Sequence, residues 1–99
     1  MTEIQRIGSD GPWEQVYGYC RAVVTGPWII TSGCTATVGG KVVHVGDPAG
    51  QAKEAFRIAI DAIVEAGGSV SDVVRTRMYV TDPAHADAVG RAHGELFGP

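Results

Sequence analysis

The sequence predicts an α+β domain, with strands gathered into one sheet and two helices packed on one of its faces. Three observations carry the prediction. Period-two runs occur at Tyr17–Val24 and Val73–Val80, Trp28–Thr31 is β-branched and aromatic, and 3.6-period apolar stripes follow Asp47 and Asp82. The order strand, helix, strand requires a crossover that returns the chain to the same sheet. With 99 residues and 44% hydrophobic content, the chain is a single domain, 1–99, whose one core is just large enough to hold it together.

Taken in order, Tyr17–Val24 alternates Tyr17, Tyr19, Arg21 and Val23 against Gly18, Cys20, Ala22 and Val24. One face of that strand is polar and aromatic, the other small and apolar. Thr25-Gly26-Pro27 is a turn, and Trp28–Thr31 is an apolar, largely β-branched return strand closed by Ser32-Gly33. Gly39-Gly40 divides a second, shorter pair, Thr35–Val38 and Lys41–Val45. Asp47-Pro48 supplies an N-cap and a proline at the first helical position. The stripe Ala52, Ala55, Phe56, Ala59, Ile60, Ile63 then runs to the stop at Gly67-Gly68. Val73–Val80 returns to period two, with Arg75, Arg77 and Tyr79 on one side. Thr81-Asp82-Pro83 opens a second helix that turns Ala86, Val89, Leu96 and Phe97 inward and stops at Gly98-Pro99. A sheet face bearing Tyr19, Arg21, Arg75, Arg77 and Tyr79 is too polar for a core and too aromatic for plain solvent, so it reads as a subunit interface or a cleft.

Composition narrows the function. A net charge of -3 provides no field for gathering phosphates, so no nucleic-acid partner is expected. The apolar runs are too short to cross a bilayer and the N-terminus lacks the order of a signal peptide, so the expectation is a cytoplasmic protein without a membrane partner. Cys20 and Cys34 are then expected as reduced thiols. Ser32 lacks a nucleophile-elbow context and reads as a turn serine. His44, His85 and His93 are scattered, so no metal site follows, and no glycine pair has a nucleotide-binding pattern. Arg75 and Arg77 are read as interface or rim cations before anion ligands.

An ordered set of segments is more specific than any one of them: Tyr19-Cys20-Arg21-Ala22-Val23, Ile29-Ile30-Thr31-Ser32-Gly33, Gly46-Asp47 before a helix with Gln51, Val73 through Asp82, and Gly90 through Glu95. Together they resemble the RidA family, the YjgF-like reactive intermediate (imine) deaminases, also labelled endoribonuclease L-PSP, from about Tyr17 onward. The resemblance implies a mixed sheet backed by two helices, as in chorismate-mutase-like trimers, with ligand clefts between subunits of a homotrimer. It implies hydrolysis of 2-imino or enamine acids to 2-oxo acids and ammonia without a cofactor, a small-molecule carboxylate being the partner. By position, Tyr19 matches the family's cleft tyrosine and Ser32-Gly33 the turn that approaches the substrate. Two departures count against activity. Gly90 stands where active deaminases commonly carry asparagine, and the family's two last strands, with a carboxylate-binding arginine and a water-orienting glutamate, would lie beyond Pro99. A non-enzymatic carboxylate-binding module is the alternative; RNA cleavage is disfavoured by the acidic balance.

Overall fold

The structure is a computed structural model that describes residues 3–98. The expected stop at Pro99 lies outside the described residues. The elements are β1 (Ile4–Ile7), α1 (Trp13–Tyr17), β2 (Ala22–Thr25), β3 (Trp28–Thr31), β4 (Thr37–Val38), β5 (Lys41–Val42), α2 (Pro48–Glu65) and α3 (Ala86–Phe97), with 3₁₀ turns at Val70–Asp72 and Pro83–His85. β1, β2 and β3 form an antiparallel sheet in that order, and β4 and β5 form a separate two-stranded ribbon. This is an α+β fold.

The hairpin between β2 and β3 is set by its turn. Thr25 pairs with Trp28, leaving Gly26-Pro27 as a two-residue loop, and Gly26 takes φ 57°, which a primed hairpin turn requires at its first central position. The register Ala22 to Thr31 and Val24 to Ile29 places these four residues on one sheet face with Ile7 of β1, whose partner is Ala22. α2 lies against that face. Ala22, Ile7 and Ala62 form the tightest part of the core, Ala22 being only 1% exposed. Small residues dominate here because a helix can approach a sheet closely only where side chains are short.

α2 begins as the sequence dictates: the Asp47 carboxylate accepts from the Gly50 N–H at 3.0 Å, and Pro48 occupies the first turn. α3 packs on α2 through Phe56, His93 and Phe97, with ring centroids 4.7–5.5 Å apart. Val89 and Ala92 are its buried residues, whereas Ala86, expected inward, is exposed because Pro83–His85 forms a 3₁₀ turn and delays the helix.

Two expectations for the sheet are corrected. Tyr17 ends α1 and does not open a strand, so β2 starts only at Ala22. The alternation across Val73–Val80 is not realised as a ladder among the described residues, and the parallel crossover partner of a mixed sheet is not formed there. A period-two sequence makes a strand only where another strand satisfies its backbone, and among the described residues β1, β2 and β3 pair with each other and not with Val73–Val80.

The close approach at Ala22 generates a test. Ala22→Leu inserts carbon atoms where the sheet meets Ala62 and should destabilise the domain by about 1–3 kcal/mol, read as a lower urea midpoint at unchanged slope.

Candidate functional site

A cavity of ≈ 550 Å³ opens where α1, the ends of β2 and β3, and α2 converge; Ser9, Tyr19, Arg21, Gly33, Cys34 and Arg57 are among its lining residues. Its floor is built on a buried ion pair. Arg21 and Glu14 are each 7% exposed, and Arg21 Nη2 stands 3.7 Å from Glu14 Oε2. α1 positions the carboxylate: a tight turn at Gly18, φ 76°, ends the short helix and returns the chain to β2. Gly11 completes the fit, since a Cβ there would lie 2.7 Å from Glu14 Oε2.

Arg21 is committed to the protein. Its Nη1 donates to the Gly33 carbonyl at 2.6 Å and to Cys34 Sγ at 3.4 Å, and its guanidinium lies 5.5 Å from the Tyr19 ring centroid. Its Nε is buried without a hydrogen-bond partner. Burial disfavours the charged guanidinium, yet contacts with Cys34, Tyr19 and Glu14 outweigh it and hold Arg21 above its ordinary pKa. Glu14 behaves correspondingly. Burial pushes its carboxyl up, but hydrogen bonds from the Ser9 hydroxyl and the Ser9 N–H, then the Arg21 charge and Gly11, bring it below the usual value.

The structure thus brings Tyr19 and Gly33 to one cavity. Ser32 lies beside them with its hydroxyl turned away, donating to the Cys20 carbonyl at 2.6 Å and tying the hairpin's two strands together. Cys20 and Cys34 are both free thiols. Arg75 and Arg77 are placed elsewhere. Arg75 borders a second hollow of ≈ 400 Å³ against α3, shared with Thr76, His93 and Phe97, and Arg77 reaches the Tyr79 hydroxyl at 3.4 Å. The expected single face joining Tyr19 and Arg21 to Arg75 and Arg77 is therefore divided between separate regions. Among the described residues no cluster of three or more His, Cys, Asp or Glu side chains is arranged to hold a metal ion, and no helix is long and apolar enough to cross a membrane.

Glu14, Ser9 and Trp13 were not visible as site residues in the sequence, because they precede the first recognisable strand. The one available signal is charge in an apolar setting: Arg21 interrupts a small-residue strand and needs an acidic partner from nearby chain.

The family model for endoribonuclease L-PSP matches residues 12–99, which includes α1, the hairpin and both long helices. The chain belongs to this family, the YjgF/RidA family. An uncharacterized protein of Streptomyces coelicolor is 44% identical over 94 residues, 95% of this chain and 70% of the relative. The crystal structure of Rv2704 from Mycobacterium tuberculosis, a member of the YjgF/YER057c/UK114 family, superposes with a TM-score of 0.81 at 35% identity, covering 97% of this chain and 75% of that one. A protein of unknown function from Pseudomonas aeruginosa gives 0.78 at 28% identity, covering 99% and 72%. These YjgF-family structures share the α+β architecture described above.

The buried pair makes stability pH-dependent. Because the Glu14 carboxyl is lowered on folding, it stabilises the native state above the ordinary carboxylate pKa of about 4.3 and loses that contribution as pH falls through its folded value. Glu14→Gln should lower neutral-pH stability by about 3–5 kcal/mol, since it strands a buried guanidinium, and should flatten the acid limb of a urea-unfolding series relative to wild type.

Proposed function

We propose that this YjgF/RidA-family protein acts on small, planar 2-imino or enamine acids and receives them, or the corresponding 2-oxo acids, in the cavity beside Tyr19 and Gly33. The observation that supports the reading is the convergence of Tyr19 and the Gly33 turn on one concave surface, whose wall the buried Arg21 holds in place. The associated chemistry is hydrolysis: water adds to the C=N carbon, the C–N bond breaks, and ammonia leaves behind a 2-oxo acid. An imine carbon is already electrophilic, so anchoring and water orientation suffice, with no cofactor needed.

Charge accounting favours holding over turnover by these residues alone. Arg21 is matched by Glu14, and Arg57 by Glu54 and Asp61, so neither cation is left over for bidentate capture of a carboxylate. The 99-residue chain is accordingly a binding module for such acids, and hydrolysis would call on further groups. A neighbouring subunit of a homotrimer is the source we favour, because the outer sheet face leaves Ile4, Trp28 and Ile30 about half exposed, an apolar patch suited to self-association. The family's endoribonuclease label is not adopted as an activity, given the net charge of -3.

Calorimetry with a 2-oxo acid should show binding of about millimolar strength, weakened several-fold by Tyr19→Ala. In an assay coupled to a serine or threonine dehydratase, the chain should release 2-oxo acid no faster than background. Clear acceleration abolished by Arg75→Ala or Arg77→Ala would overturn the binding-module reading and identify the missing anion site. Light scattering should report a trimer, and a monomer at dilute concentration would refute the assembly.

A further inference from the structure

We infer that the acid held in this cavity bears a flat aromatic side chain, and that Trp13 and Tyr17 select it; the inference rests on the carboxylate reading above. The open hollow of ≈ 550 Å³ leaves room for a ring beside the carbon skeleton of a three- or four-carbon acid. Its rim supplies the surface a ring would use. Trp13 and Tyr17, four residues apart on α1, stack with centroids 5.5 Å apart and planes 20° off parallel, yet remain 53% and 71% exposed. Tyr19 joins them, so two of the three tyrosines and one of the two tryptophans in the chain border this cavity.

An exposed stacked pair pre-positions an aromatic surface at low entropic cost, and a third ring can add to it by offset or edge contact. The stack leans on the same short helix that carries Glu14, so it is held in fixed relation to Arg21 and Gly33. The remaining rim charges set the complementary limit. Asp10 and Glu65 also border the cavity and repel each ligand carboxylate, so a dicarboxylic acid is disfavoured relative to a monocarboxylic one. The ligand class is therefore an aromatic 2-imino or 2-oxo monocarboxylate.

The test is calorimetric titration of the 99-residue protein with phenylpyruvate, pyruvate and 2-oxoglutarate. Phenylpyruvate should bind about ten-fold tighter than pyruvate, and 2-oxoglutarate weakest of the three. Trp13→Ala and Tyr17→Ala should each reduce phenylpyruvate affinity several-fold and narrow its ratio to pyruvate, and Trp13→Phe, which keeps a ring, should retain the preference. Equal affinity for phenylpyruvate and pyruvate overturns the inference and leaves the carboxylate reading standing. Binding of none of the three removes the carboxylate reading and the inference with it. If Trp13→Ala alters the mass seen by light scattering but not the phenylpyruvate affinity, the ring pair serves a second copy of the chain and the inference is overturned.

Discussion

The buried contact between Arg21 and Glu14 organises this end of the molecule. A charge taken out of water is tolerated only when it is matched and hydrogen-bonded, so the guanidinium dictates what must surround it. Glu14 has to arrive from α1, Gly11 has to lack a side chain, and the Gly33 carbonyl has to face Nη1. α1 has only the span Trp13–Tyr17, far too short to persist alone in water, and its place is secured by this contact and by the Gly18 turn. The same contact joins three parts of the chain that local hydrogen bonding would leave independent: the segment before β2, β2 itself and the turn after β3. Its coverage is incomplete at the buried Nε, as expected where a planar fork with five donors meets a limited set of acceptors.

What the sequence discloses follows the range of the interactions that decide each element. α2 is legible because its signals are local: Asp47 caps it, Pro48 starts it and an apolar stripe runs along one side. The hairpin is legible for the same reason, with Gly26-Pro27 fixing the register of Trp28–Thr31. Val73–Val80 has the alternation of a strand, but alternation reports only which side chains share a face and says nothing about whether a neighbour exists to complete the ladder. β1 and α1 escape notice for the opposite reason. Their patterns are weak, and their places are decided by distant partners, Ile4–Ile7 by pairing with Ala22–Thr25 and Glu14 by Arg21.

The candidate site was legible to a similar extent. Tyr19 and Gly33 flank the hairpin and meet at its open end, a placement hairpin geometry makes natural. The strand pattern assigns Arg21 to a polar, aromatic face that reads as an interface or a cleft, and alternation alone cannot show what covers its charge. Here α1 brings the covering carboxylate. Ser32 shows the complementary limit: its neighbourhood was readable, but its hydroxyl's direction depends on the Cys20 carbonyl across the hairpin. Arg75 and Arg77 share a period-two face with Tyr79, yet they lie away from the Tyr19 cavity because Val73–Thr76 packs toward α3 through the Thr76 to His93 hydrogen bond of 2.8 Å.

The commitment of Arg21 has a consequence for recognition. The Gly33 carbonyl and the Cys34 N–H belong to one planar peptide unit and point in opposite directions. Holding the carbonyl at 2.6 Å from Arg21 therefore also fixes the direction of the Cys34 amide. A ligand using the Gly33–Cys34 turn meets a backbone whose orientation is set by a charge pair it need not touch. Affinity then depends on shape and on preorganised backbone more than on a free cation, since reorganising the turn would strip the buried Arg21 Nη1 of its Gly33 carbonyl acceptor. The distinction between anchoring and positioning follows from the residues themselves: Arg21 builds the wall, and because it does, it is not free to act as the anion clamp.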